Sequence, residues 1–328
     1  MKLCKYCLSF VLVLGLYVSA YTQGKMYVKP NNYIPGRIFI NSTPENTQNN
    51  NGYSVTGNNV VTQYPNIRVF SSPYNQSGPN VAVSPLNSNY IFIGANTDYG
   101  MGYYSTANSG SNWTGGDILQ GSVYYSTNPY VSYNNTGLLF YNYFDDFIVT
   151  DRSNNNGLNW GGRMIVPSST LYDMNTIAVD NSPSSPYYNR VYVAWSNFNL
   201  AQPKIYFSYS TNNGLTFMPS QPIGLPSANH YEQGAKLVVA QNGTVYCFWA
   251  TPNINNNNIE DKIAFTKSTD GGTTWSAPSY PLTINGIRGY LMPNGIRVNS
   301  FPSVALDNSG NILITWAQKN LAPAGSDA

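Results

Sequence analysis

The chain has 328 residues, 14% of them aromatic and only 9% charged, with a formal net charge of +2. Nucleic acid and anionic membrane surfaces are excluded as expected partners, because both require basic patches that so balanced a chain does not supply. With Asn, Ser, Thr and Tyr carrying the polar surface, the composition is that of an exported β protein.

The first 20 residues read as a secretory leader: Lys2 and Lys5, a short apolar run from Leu8 to Tyr17, and Val18-Ser19-Ala20 as the cleavage site, cut after Ala20. The run is too short for a membrane span, and no later segment is long and apolar enough for one. Cys4 and Cys7 precede the apolar run, so neither sits where a lipoprotein cysteine would, and both leave with the leader. The mature chain keeps Cys247 alone, expected to be a small buried hydrophobe rather than half of a disulfide. Without Lys2 and Lys5, 14 basic side chains face 14 acidic ones.

Residues 21–70 form a lead without periodic pattern. The Asn-rich stretch 41–59 reads as a linker. Arg37–Ile40 and Ile67–Phe70 are candidate strands for closing a ring.

From residue 71 onward a paired-strand pattern returns. Its copies begin at 79, 129, 175, 235 and 302, and their matched apolar positions Val81, Val131, Ile177, Leu237 and Val304 are 50, 46, 60 and 67 residues apart. Each run is rich in Val, Ile, Tyr, Phe and Trp, which is strand chemistry. Interleaved with it is a turn of pattern S-x-D-x-G-x-x-W. Ser268, Asp270, Gly272 and Trp275 match it fully. Ser210, Asn212, Gly214 and Phe217 keep the spacing, as do Ser153, Asn155, Gly157 and Trp160, and then Thr106, Asn108, Gly110 and Trp113. The short polar side chains suit bonds to nearby backbone N–H groups, the glycine suits a positive φ, and the aromatic suits burial beside the hairpin. The Asp/Asn positions recur after 47, 57 and 58 residues. Two strands, a third entering the turn and a fourth leaving it make four strands per unit, and such a period predicts an all-β chain, a β-propeller of four-stranded antiparallel blades.

The blades are expected at 71–120, 121–168, 169–226 and 227–290, with a fifth beginning near Leu291. Trp195 precedes Asn212 by 17 residues and Trp249 precedes Asp270 by 21, so counting on from Trp316 carries the fifth turn past Ala328. Four complete blades and a partial fifth are therefore expected within 71–328, as in a propeller of six or seven blades that has been truncated.

These turns on a four-stranded repeat resemble the Asp-box, or BNR, repeats of sialidases and their relatives, over about 71–328. The resemblance implies a sialidase-like propeller. Its turns are structural and occur in glycosidases, binding proteins and sorting receptors alike. Sialidases are similar to one another in three arginines that clamp the substrate carboxylate, the first in an Arg-Ile-Pro motif, and in a Tyr nucleophile assisted by Glu with an Asp acid. The matching positions here are Ser77, Thr127 and Ser300, two before Pro79, Pro129 and Pro302, and their equivalents Asp173 and Gln233; no Arg-Ile-Pro occurs. Arg152 and Arg163 flank a turn that in this family lies away from the active-site mouth. Arg68, Arg288 and Arg297 remain conceivable, and Arg68 and Arg297 are the ligand-binding candidates.

Asp173 and Tyr231-Glu232 begin the inner strands of adjacent blades. The catalytic reading makes Tyr231 a nucleophile, Glu232 its base and Asp173 the acid; the other reading makes the carboxylates solvated caps at the rim. His230, the sole histidine, has no nearby His or Cys and makes a poor metal ligand. Gly271-Gly272 lacks the Lys and helix of a phosphate loop, so no nucleotide is expected. Exposed aromatics at the mouth would stack on sugar rings, although most here alternate within strands and belong to the packing. The expectation is a secreted, monomeric glycan- or surface-ligand-binding module without cofactor or metal. The alternative is an exo-sialidase or other glycoside hydrolase using the Tyr/Glu/Asp set.

Overall fold

The computed structural model describes residues 52–56, 60–64, 67–168, 172–288, 298–307 and 309–319. The chain divides into two compact units, 1–67 and 68–328. In the first, β1 (Gly52–Thr56) pairs antiparallel with β2 (Val60–Tyr64). β1 falls inside the Asn-rich stretch 41–59 that the sequence marks as linker; the rest of that stretch lies outside the described residues. Residues 67–70 form no strand, while the leader and the candidate strand at 37–40 lie outside the described residues.

The second unit is a β-propeller of four-stranded antiparallel blades. β3 (Gln76–Val83), β4 (Ile91–Thr97), β5 (Gly100–Thr106) and β6 (Thr114–Gly116) form blade I. β7 (Thr127–Tyr133), β8 (Leu139–Phe144), β9 (Ile148–Ser153) and β10 (Arg163–Ile165) form blade II. β11 (Tyr172–Val179), β12 (Val191–Asn197), β13 (Lys204–Ser210) and β14 (Gln221–Pro222) form blade III. β15 (Gln233–Val239), β16 (Val245–Asn253), β17 (Ile259–Ser268) and β18 (Ser279–Thr283) form blade IV, followed by the pair β19 (Ser303–Leu306) and β20 (Ile312–Thr315). The first strands β3, β7, β11, β15 and β19 lie beside one another in that order. Asn80 Oδ1 of β3, for example, accepts from Val131 N of β7 at 2.8 Å. Up-and-down order then fixes two ends. The rim is the end where first strands begin and second strands finish; the S-x-D-x-G-x-x-W turns occupy the opposite end.

All four turns use one hydrogen-bond pattern. Ser268 Oγ donates to Asp270 Oδ1 and accepts from Gly272 N, both at 2.8 Å, while Asp270 Oδ1 accepts from Thr274 N at 2.9 Å. Ser210, Asn212, Gly214 and Thr216 repeat it, as do Ser153, Asn155, Gly157 and Asn159. Thr106, Asn108, Gly110 and Asn112 do so with a threonine hydroxyl. Each glycine holds a positive φ, between 72° and 92°. In blades II to IV it also lies flat against a ring of the preceding blade. A Cβ on Gly157 would sit 2.5 Å from Phe92, one on Gly214 3.0 Å from Phe140, and one on Gly272 2.7 Å from Phe207. The aromatic three residues later completes the seam: Trp275 meets Phe207 at 4.7 Å and Trp160 meets Phe92 at 5.5 Å, both edge-on. The turns are therefore inter-blade locks. Cys247 is a fully buried free thiol in β16, and burial pushes its pKa up.

At the rim end the first strands of blades I to IV carry the same bulge. Two residues oppose one between Ser77 and Asn80, Thr127 and Tyr130, Asp173 and Thr176, and Gln233 and Lys236. The first bulged residue is left-handed each time: Gly78 (φ 57°), Asn128 (59°), Met174 (53°) and Gly234 (80°). Such bulges bend a strand and re-aim the side chain before them.

Candidate functional site

The four bulges gather the rim residues of successive blades. Asn96 Oδ1, at the end of β4, accepts from the Thr127 hydroxyl at 3.2 Å and from Asn128 N at 3.0 Å. Asn128 Nδ2 donates to Asp173 Oδ1 at 3.1 Å, and Gln233 Nε2 donates to Asp173 Oδ2. Arg288 Nη1 closes the series on Gln233 Oε1 at 2.7 Å. One chain of hydrogen bonds thus crosses blades I to IV, with Asp173 at its centre. Asp173 is half-buried, and both its carboxylate oxygens are held by neighbouring blades.

Glu232, expected to face the mouth, turns instead into the seam between blades III and IV. It is 0% exposed, its oxygens accept Ile205 N and Leu225 N at 3.0 Å each, and burial raises its pKa to about 7 against those two bonds. The physical reason is the sequence spacing: Glu232 precedes the bulge of β15 by one residue more than Gln233, so strand alternation turns it away from the axis. Neither the solvated-cap reading nor direct contact with solvent fits a carboxylate so enclosed. Tyr231 is also buried, edge-on to Phe198 at 6.0 Å with the Arg288 guanidinium 5.7 Å from its ring centre. Glu260 is equally enclosed, burial raises its pKa, and its Oε2 accepts Arg288 N at 3.3 Å. His230 bonds Asp261 Oδ2 through Nε2 at 2.8 Å, with Ala228 O 2.8 Å from Nδ1.

The arginines are dispersed. Arg152 donates to Asn213 O and Arg190 to Gly271 O, each capping the turn of the following blade. Arg163, expected beside a turn and away from the mouth, reaches the rim instead: it bridges to Asp145 at 2.5 Å and donates to Gly121 O. The reason is that β10 is only three residues long, so one side chain spans the distance. Arg68 is exposed at the start of the second unit, and Arg297 lies outside the described residues. Among the described residues these arginines thus bond different partners at different places on the blades.

Sequence reasoning missed the outer part of the rim. Ser72, Gln76 and Tyr104 all bond Asp117, at 2.6, 3.0 and 2.8 Å. Beside them Tyr74, Tyr99 and Tyr124 form a row, with ring centres 4.8 and 5.6 Å apart. All three lie in connections rather than strands, where no periodicity could mark them.

No protein-family model matches the sequence. No curated protein matches it either. Among solved structures, the chain is similar to a protein of unknown function from Dyadobacter fermentans, at TM-score 0.52 and 13% identity over 75% of this chain and 79% of that one. It is similar to a Penicillium chrysogenum α-L-arabinanase solved with arabinobiose, at TM-score 0.51 and 11% identity over 75% and 78%. The NanB sialidase of Streptococcus pneumoniae aligns at TM-score 0.49 and 10% identity over 78% and 63%. What the first two share with this chain is its fold.

Proposed function

We propose that the chain is an exported, monomeric, sialidase-like Asp-box β-propeller whose rim binds a glycan or another surface ligand without cleaving it. The observation that carries this reading is the commitment of the rim's ionisable groups to holding blades together. Asp173 joins blades II and IV, Glu232 is enclosed on two backbone N–H groups, and Arg288 is tied to Gln233. A group so engaged is held in place by the fold, whereas an acid or base must reach the bond it serves. The fold shared with an arabinanase solved with arabinobiose supports a glycan as the ligand class. The test is retention of the mature chain, from residue 21, on a glycan array, together with no release of a fluorescent aglycone from sialosides or arabinosides. Turnover by the wild type would overturn it.

One observation favours a second reading. A carboxyl raised to about 7, as Glu232 is, suits a general acid or base near neutrality. Under it Tyr231, Glu232 and Asp173 form the catalytic set of a glycoside hydrolase, with Arg68 and Arg297 as the arginines that receive the ligand. Aglycone release abolished by Glu232→Gln, in a variant that keeps its melting cooperativity, is the expected result.

A further inference from the structure

The row of tyrosines on blade I lies outside the hydrophobic core clusters of the blades. Tyr74 precedes β3, Tyr99 sits in the two-residue turn between β4 and β5, and Tyr124 lies in the link to blade II. All three connections are at the rim end. Their side chains are 38%, 47% and 53% exposed, so each presents a large part of an apolar ring to water. Rings that face water and yet touch one another in a series are a stacking surface for a ligand with successive apolar faces.

The surroundings select the ligand. Asp98 shares its turn with Tyr99 and is held by Asn75, whose N and Nδ2 donate to it at 3.1 and 3.2 Å. Asp117 and Asp146 stand on the same rim, Asp146 accepting from Tyr125 at 2.5 Å. The cation that donates into this link, Arg163, is neutralised by Asp145. Carboxylates only accept hydrogen bonds, so they welcome hydroxyl donors and repel a sialic or uronic acid. The rings are inclined to their neighbours by 69° and 65°, so they share no plane. A flat array of packed chains cannot rest on them together; a single chain that turns from one unit to the next can.

We infer that Tyr74, Tyr99 and Tyr124 form a binding platform for a soluble, neutral polysaccharide chain, stacked on the rings with its hydroxyls donating to Asp98. The inference rests on the glycan-binding reading above and names its ligand class.

Native gel electrophoresis of the mature chain through gels containing mixed-linkage β-glucan, linear arabinan or polysialic acid tests it. A neutral polymer should retard the wild type and polysialic acid should not. Tyr99→Ala and Tyr124→Ala should each weaken retardation by about tenfold, and Tyr99→Phe should preserve it, since the ring is what stacks. Both alanine sites are exposed, and an unchanged melting temperature verifies their folding. Retardation by polysialic acid equal to that by a neutral polymer, or alanine variants retarded like the wild type, would overturn the platform while leaving glycan binding standing. No retardation of the wild type in any gel would overturn both.

Discussion

Taking a carboxyl group out of water disfavours its charged form, and Glu232 carries that cost at every pH where it ionises. Its pKa rises from the ordinary 4.5 to about 7 in the folded chain. Below 4.5 the group is protonated whether the chain is folded or not, and its contribution to stability is fully present. Between 4.5 and about 7 the folded state holds a proton that the unfolded state has released, so stability falls as pH rises and is lost above 7. The loss is on the order of 3 kcal/mol at most. Burial raises Asp151 and Glu260 as well, so each adds a loss of stability of the same sign as pH rises. Glu232→Gln, which cannot ionise, should flatten part of the fall in melting temperature over that window. A variant as pH-sensitive as the wild type would show that the charge on Glu232 is relieved by some other route. The sequence could place Glu232 at the start of an inner strand, but its direction depended on a bulge that no local residue announces.

Two glycines of the repeated turn separate backbone conformation from packing, because they share the first and differ in the second. Gly110 and Gly272 have φ of 87° and 92°. A Cβ on Gly110 would meet its own Trp113 at 3.6 Å, whereas one on Gly272 would enter the Phe207 ring of blade III at 2.7 Å. Gly110→Ala should therefore cost about 1–2 kcal/mol, the left-handed penalty alone, and Gly272→Ala about 1–3 kcal/mol more from overpacking. Equal costs by chemical denaturation would remove the lock from the turn. A second pair concerns the bulges. Met174 occupies a left-handed position that blades I, II and IV fill with Gly78, Asn128 and Gly234. Met174→Asn should raise stability by about 1 kcal/mol, as asparagine tolerates that conformation; a loss of that size would mean the half-buried methionine packs better than its backbone is strained. These elements differ in how plainly the sequence shows them. The turns are visible because four side chains must recur at fixed offsets to make their bonds. The inner strands of blades II to IV are visible because their apolar runs are largely buried, whereas Val81 and Val83 of β3 keep the strand pattern while exposed. The fourth strands are two to five residues long and paired on one side, so they need no pattern and show none. The bulges contain Pro79 and Pro129 in blades I and II, but Met174-Asn175 and Gly234-Ala235 replace that cue in the other two. The rim network was illegible, because its bonds join residues 31 to 60 apart in sequence.

A row of blades that touch their neighbours behaves almost as a one-dimensional array, and its cooperativity depends on what crosses each seam. Two sets of bonds cross here: the turn locks at one end and the Asn96–Asn128–Asp173–Gln233–Arg288 chain at the rim. Hydrogen exchange of the whole chain should read this arrangement. The second and third strands β8, β9, β12, β13, β16 and β17 are paired on both sides and should exchange slowest, and the one-sided β6, β10 and β14 fastest. Asp173→Ala then tests coupling directly. It leaves Asn128 Nδ2 and Gln233 Nε2 without their acceptor, a cost of about 1–3 kcal/mol for groups withdrawn from water. If the rim chain couples blades, exchange should quicken at the starts of β7 and β15, on both sides of the substituted strand, while the turns at the far end keep their protection. Acceleration confined to β11 would mean that the turn locks alone bind the blades together, and that the polar chain merely fills the space between them.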